Sequence, residues 1–355
     1  MKTVDYIIVG QGVAGSCMAL QLLENNKSFL VIDDNAHKAS AIAAGIYNPV
    51  VLKRFAVVWN AQQQIQKLKK VFHSFEQLLN QKYDFEFPVY RIFNDENEKK
   101  TWLKKSNRED LKDFLSQDFN ALNAFENINQ PLGTGEVMHT GRIDLSNLLP
   151  NFKSYLLAHD LCLDESFDYS LLELNDNGIS YKNIHAKKII FAEGYHIKKN
   201  PWFNQLPVIG VKGEVLRVKT NAHLPNAVVK AKEFLMPLAS QEYFVGATYD
   251  RDHVDYEITE SAKENLLQGL KQFLKDEIEV IDQKASIRPT VSDRRPIIGS
   301  HPHYHQLICL NGMGTRGTML APVMVEELYD YLEHGKPITP EADIARFYTL
   351  MKNEN

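Results

Sequence analysis

Cysteine is scarce in this 355-residue chain: Cys17, Cys162 and Cys309 are the only three, and no two form a CxxC pair. That spacing excludes a disulfide framework and a cysteine-based zinc site. It suits a reducing compartment, and a cytoplasmic location is expected. Long apolar runs are missing too. No stretch approaches the roughly 20 residues that a membrane-spanning helix needs, so no membrane association is expected. An excess of basic charge is also absent: 40 Lys and Arg stand against 45 Asp and Glu, for a net charge of −5. The chain as a whole therefore lacks the electrostatic footprint of a nucleic-acid binder. The small cluster Lys67, Lys69 and Lys70 reads as a solvated helix face. There is no long repeat and no low-complexity tract. Lys2 precedes apolar residues, but Asp5 interrupts them and glycines follow, so no signal peptide is expected. At 44% hydrophobic and 24% charged residues, the rest is an ordinary globular composition, long enough for two packed domains.

What is present begins at the N-terminus. Tyr6-Ile7-Ile8-Val9 is a short apolar run of the kind that forms a strand buried on both faces. Gly10-Gln11-Gly12-Val13-Ala14-Gly15 follows at once, and Ala14 to Leu23 has helical periodicity. Phe29-Leu30-Val31-Ile32 is a second apolar strand, ending at Asp33 and Asp34. Each part has a physical task in holding a dinucleotide. Gly10 permits the tight turn, Gly12 lets backbone approach a pyrophosphate, and Gly15 allows close helix–strand packing. The helix N-terminus, with Val13 and Ala14 in its first turn, offers N–H groups and a positive dipole end. Asp33, with Asp34 beside it, is placed to bind ribose hydroxyls, and its charge disfavours a ribose phosphate.

A second GxGxxG occurs near the other end. Leu307-Ile308-Cys309-Leu310 is an apolar strand, Gly312-Met313-Gly314-Thr315-Arg316-Gly317 follows, and Thr318 to Leu332 reads as a helix. Here no second strand with a terminal acid comes after. This turn is therefore expected to face something smaller and electron-rich than a second dinucleotide. A flavin pyrimidine edge fits, because reduction places negative charge on that side of the ring. One FAD spanning both turns is the expected cofactor.

With these motifs in place, the chain resembles the D-amino-acid-oxidase superfamily of flavoenzymes over most of its length. Gly10 to Gly15 with Asp33 resembles that family's ADP-binding start. Ala39 to Pro49, which holds Ser40, Ala44, Gly45 and Ile46, resembles its loop along the pyrophosphate and flavin. Gly141-Arg142-Ile143-Asp144-Leu145, Ile189 to Gly194 (with Ala192 and Gly194), Val211-Lys212-Gly213-Glu214, Gly246-Ala247-Thr248 and Ile287-Arg288-Pro289 are similar to later family segments. Gly312 to Gly317, Ala321-Pro322 and Lys336-Pro337-Ile338 are similar, more particularly, to the oxidase half of a bifunctional tRNA wobble-uridine modification enzyme. The departures are the absence of a methyltransferase domain from these residues and the lack of basic charge.

The resemblance implies roles for single residues. Arg288, in its Arg-Pro setting, would pair with a substrate carboxylate, which a guanidinium fork matches well; the plain alternative is a surface arginine beside Asp293. Arg316 would bind substrate carboxylate, stabilise reduced flavin, or only bond to its own turn. Ser40 would donate to a phosphate or cap a helix. Phe167 would meet the adenine or belong to the core. Glu193 reads as solvent-facing, and Lys53 and Arg54 as substrate- or solvent-facing. His301, His303 and His305 alternate without a further ligand set, so they read as surface histidines and no metal is expected. Cys309 reads as a core cysteine.

The expected fold is α/β (α+β): a Rossmann-like FAD-binding domain from residues 1–80, 136–200 and 285–355, with a mostly antiparallel substrate domain from 81–135 and 201–284. The expected activity is oxidation of the C–N bond of a small amine or amino acid, by hydride transfer to flavin N5 and imine hydrolysis. A carboxymethylaminomethyl wobble uridine in tRNA is the alternative substrate. A flavin-binding subunit without turnover and an NAD-dependent dehydrogenase are the alternative functions.

Overall fold

The computed structural model describes residues 2–36, 39–175, 178–238 and 241–351. Its larger sheet has eight strands. Six of them run in the order Cys162–Leu163, Phe29–Ile32, Lys2–Val9, Ile184–Phe191, Leu307–Asn311 and Ile297–Ser300, with all pairs parallel except the last. The first half of Ile184–Phe191 also pairs with an antiparallel hairpin, Leu172–Asn175 and Gly178–Tyr181.

The apolar runs read from the sequence are strands because both their faces are buried. Tyr6 and Ile8 enter one core, beneath the helices Val13–Glu24 and Gly317–His334; Ile7 and Val9 enter another core on the opposite face. Phe29 and Val31 divide from Leu30 and Ile32 in the same way, as do Ile308 and Leu310 from Leu307 and Cys309. Full burial of each such side chain contributes about 1.5–3 kcal/mol. The N-terminal strand begins four residues earlier than the apolar run, at Lys2, because its register with Ile184–Phe191 starts there.

The second sheet has seven strands in the order Glu279–Val291, Val208–Lys219, Glu242–Gly246, Phe234–Pro237, Val228–Lys230, Val89–Ile92 and Thr134–Val137. Every pair is antiparallel except Val228–Lys230 with Val89–Ile92. The helix Glu260–Lys271, capped by the Thr259 hydroxyl on Ala262 N–H, covers one face through Leu266 and Leu270. The other face carries Gly213, Val215 and Gly246 and is left to line a cavity. The two-sheet α/β architecture with a mostly antiparallel second sheet is thus the one expected. Among the described residues, no helix is long and apolar enough to cross a membrane.

Candidate active site

A cavity of about 610 Å³ runs from the first glycine turn, along the C-terminal ends of the parallel strands, to the open face of the second sheet. At one end the glycines of the first turn meet their neighbours closely. Gly10 has φ +96°, and a Cβ on it would lie 2.7 Å from the Ala192 carbonyl oxygen. A Cβ on Gly15 would lie 1.9 Å from the Gly10 carbonyl oxygen, so only hydrogen fits where helix crosses strand. Gly12 precedes the helix without a side chain to cap it, and the first turn holds no acid. Ser40 Oγ accepts from Val13 N–H at 3.1 Å. These are the features an anionic pyrophosphate requires of a helix N-terminus.

Gly10, Gly12, Val13, Ala14, Asp33, Asp34 and Ser40 line this end of the cavity, and Ala44, Gly45, Ile46, Phe167, Ala192 and Gly194 continue it. Gly314, Thr315, Gly317, Thr318 and Arg288 line it too. Gly15, Gly312 and Arg316 do not. Gly15 packs on Gly10, and Gly312 is wedged against Val291 and Ile297. Arg316 reaches away to donate to the Asn48 carbonyl at 3.2 Å, which ties the second glycine turn to the loop after Gly45.

Asp33 is held by its surroundings. Its Oδ2 accepts from Gln11 N–H at 2.7 Å, and its Oδ1 accepts from Asn35 N–H at 2.9 Å. Lys153 Nζ lies 3.4 Å from Oδ1 and donates to Asp164 at 2.6 Å. Asp34 accepts from Ala36 N–H and the Ser166 hydroxyl. Phe167 stacks on Tyr181, ring centroids 4.5 Å apart, while still facing the cavity.

Two sequence readings are corrected. Glu193 is not a solvent-facing side chain: it accepts from the Tyr169 hydroxyl and from Asn200 Nδ2 at 2.9 Å, and burial pushes its carboxyl up to about 7. Its turn also lines the cavity. His301 is buried rather than at the surface. Its Nδ1 accepts from the N–H groups of His303 and Tyr304, and desolvation, with His303 and His305 nearby, pushes its ring down to about 4. Among the described residues no cluster of His, Cys, Asp and Glu could hold a metal. Cys309 is buried in its strand, and Lys53 and Arg54 are exposed, away from the cavity lining.

At the far end, Arg288 sits on the strand Glu279–Val291, and its guanidinium lies over Gly213. Nη1 donates to the carbonyls of Thr248 at 3.2 Å and Lys212 at 3.3 Å. The Tyr249 ring is 6.0 Å away. Asp293 is not its partner, because Asp293 pairs with Arg346 at 3.0 Å. Among the described residues, no carboxylate forms an ion pair with Arg288, and burial lowers its pKa. A half-desolvated guanidinium bonded only to carbonyls, with donors left over, has the chemistry to take up an anion.

The sequence reading missed Lys230, Phe234, Phe244, Tyr249 and Tyr256, which also line the cavity. No local signal marks them: Lys230, Phe234 and Phe244 are brought together by sheet pairing, and Tyr249 and Tyr256 by the loop after Gly246. Lys230 is the most perturbed, because burial holds its ammonium down at about 8.

Two sheets, a glycine turn at the head of each of two helices, and one cavity joining them define an enzyme class built around a single dinucleotide cofactor. The chain belongs to the family of FAD-dependent oxidoreductases: the D-amino-acid-oxidase family model matches residues 5–330. Its cofactor is FAD. Among curated proteins, the chain is 31% identical over 169 residues to the tRNA 5-methylaminomethyl-2-thiouridine biosynthesis bifunctional protein MnmC of Idiomarina loihiensis, a match covering 44% of the chain and 28% of that protein. The chain covers 28%, 34% and 54% of three such relatives, so it spans about half their length or less. Among solved structures, glycine oxidase from Geobacillus kaustophilus superposes with a TM-score of 0.79 at 18% identity, covering 100% of both chains. Iminodiacetate oxidase from Chelativorans superposes with a TM-score of 0.78 at 18% identity, over 94% of this chain and 96% of that one. At these identities the structural likeness speaks for the fold.

Proposed function

We propose that this protein oxidises the C–N bond of a small carboxylated amine or amino acid. The observation that carries the reading is Arg288: a partly desolvated guanidinium on the cavity wall, held by two carbonyls and without a carboxylate partner among the described residues. Bound FAD would supply the hydride-accepting chemistry at the carbon next to nitrogen. The residues of this chain do the rest. Gly10, Gly12 and Ser40, at the head of the first helix, would hold the pyrophosphate, and Asp33 the ribose. Gly314, Thr315, Gly317 and Thr318 would face the flavin edge. Arg288 would fix the substrate carboxylate, and so the reacting carbon, against the ring. The C–H bond breaks as the nitrogen lone pair forms a C=N bond; the nitrogen gives its proton to water, and water hydrolyses the imine.

An anaerobic screen of N-substituted glycines and free amino acids tests this through bleaching of the flavin absorbance. Arg288→Ala should raise KM for a carboxylated amine about 100-fold, the loss of a charge-assisted bidentate contact. An unchanged KM sinks the substrate model.

A second reading has its own support in the tRNA-modifying name of the 31%-identical relative: oxidative removal of a carboxymethyl group from a wobble-uridine amine. Mass spectrometry of tRNA carrying that group, before and after incubation, decides it. Absence of flavin bleaching with every amine and with tRNA would favour a flavin-binding subunit without turnover.

A further inference from the structure

We infer that Lys230 is a second anchor for the substrate, placed to hold an oxyanion at the end of the molecule remote from the carboxylate on Arg288. The substrate class is then an amine bearing two acidic groups, one next to the reacting carbon and one several bonds away. This rests on the reading of Arg288 given above.

The argument begins with sheet register. Arg288 and Ser286 alternate on one face of their strand, and Ser286 pairs with Gly213. Two residues along from Gly213, Val215 pairs with Gly246, Gly246 with Phe234, and Phe234 with Lys230. Directly paired residues share a face, so Arg288 and Lys230 stand on the same open face, four strands apart, and both line the cavity. Each cation leans inward over the next strand. The Arg288 guanidinium lies over Gly213, and Lys230 Nζ lies 6.0 Å from the Phe234 ring centroid. The strands carrying Gly213 and Phe234 are two pairing steps apart, about 10 Å. Between them the wall is small or apolar: Gly213, Val215 and Gly246, with Phe234 and Phe244 stacked at 5.8 Å. The Ser286 hydroxyl, beside Gly213, also lines the cavity, but the two cations of this face stand at its two ends.

Lys230 is also an expense that the fold leaves unbalanced. Its ammonium donates to the Lys232 carbonyl. Among the described residues it forms no ion pair. Glu233 attracts it from outside ion-pair distance, and Arg91, already paired with Glu98 at 2.8 Å, repels it. A half-buried cation without a carboxylate is stabilised when a ligand brings one.

The test uses unreactive sulfur analogues of N-substituted glycines, so that it does not depend on turnover. (3-Carboxypropylthio)acetate carries two carboxylates; (butylthio)acetate has the same reach and carries one. Dissociation constants for the FAD-loaded protein, from calorimetry and flavin absorbance, are compared for the natural protein, Lys230→Met, Lys230→Gln and Lys230→Arg. The natural protein should bind the dianion about 10–100-fold more tightly than the monoanion, the weight of one charge-assisted hydrogen bond. Lys230→Met and Lys230→Gln should abolish that preference and leave the monoanion within about twofold; Lys230→Arg should restore most of it. Equal weakening of both ligands, or no preference in the natural protein, overturns the inference. The oxidase reading fails separately, if no amine in the anaerobic screen bleaches the flavin.

Discussion

Gly213→Ala offers a way to move Arg288 without removing it. A Cβ at position 213 would lie 2.2 Å from Nη2, 2.3 Å from Nη1 and 2.4 Å from Cζ of Arg288. Ordinary van der Waals contact begins near 3.4 Å, so the guanidinium must retreat by 3.4 − 2.2 = 1.2 Å or more. It is the far end of a flexible side chain, and the backbone need not shift. Its bonds to Thr248 and Lys212, at 3.2 and 3.3 Å, leave no slack for that movement. Hydrogen bonds to charged groups contribute about 1.5–3 kcal/mol each. Losing the aligned fork should therefore raise KM for a carboxylated amine roughly 10–100-fold, at about 1.4 kcal/mol per tenfold. Stability should fall modestly, because the strained carbonyl bonds outweigh the roughly 0.5–1 kcal/mol by which alanine is favoured over glycine in a strand. The assay is steady-state kinetics paired with thermal unfolding of the FAD-loaded protein. An unaltered KM with unaltered stability would refute the placement of the substrate carboxylate on Arg288. A KM increase accompanied by a large fall in Tm would show that the sheet, and not the arginine, was perturbed.

Other outcomes follow from the same geometry. Gly15→Ala puts a Cβ 1.9 Å from a backbone oxygen; it should cost several kcal/mol and abolish flavin retention, read from Tm and the 450 nm region of the spectrum. FAD added to apoprotein at about 100 times its Kd should stabilise the fold by about 2.7 kcal/mol, measurable by denaturant titration; no shift would exclude tight, folding-linked binding. Glu193 predicts a pH dependence. Its carboxyl rises from an ordinary 4.5 to about 7 in the folded protein, chiefly through burial, so the native state binds the extra proton. Its contribution is whole below about pH 4.5 and is lost as pH rises through 7, by about 3 kcal/mol at most. Urea unfolding of the apoprotein from pH 5 to 8 should show that decline, and Glu193→Gln should flatten it.

Some of this was legible in the chain itself and some was not. The first glycine turn was legible because its parts are contiguous: an apolar strand, three glycines, a helix and a second strand ending in acid all lie within Tyr6 to Asp34. Local sterics and a helix dipole decide what such a segment does, wherever it is placed. The parallel core was legible for a related reason, since strands such as Phe29–Ile32 and Leu307–Asn311 are buried on both faces and must be apolar throughout. The second turn was half legible. Its glycines are readable, but not that Arg316 would donate to the Asn48 carbonyl, 268 residues away in sequence. Glu193 was misread because its partner Tyr169 lies outside its own segment and comes from the far side of a hairpin.

The open face of the second sheet was the least legible part. Arg288 could be picked out by resemblance, but what surrounds it could not. Gly213 faces its guanidinium because Val208–Lys219 pairs with Glu279–Val291 at one register, and a slip of one residue would turn every side chain to the other face. Lys230 joins the same cavity through three further pairings. Sequence by itself determined the first glycine turn and the class of fold, because those depend on neighbours along the chain. Only the tertiary structure decided which cations share a cavity and which are already neutralised. Charge pairing and desolvation depend on distances between strands that the chain visits far apart.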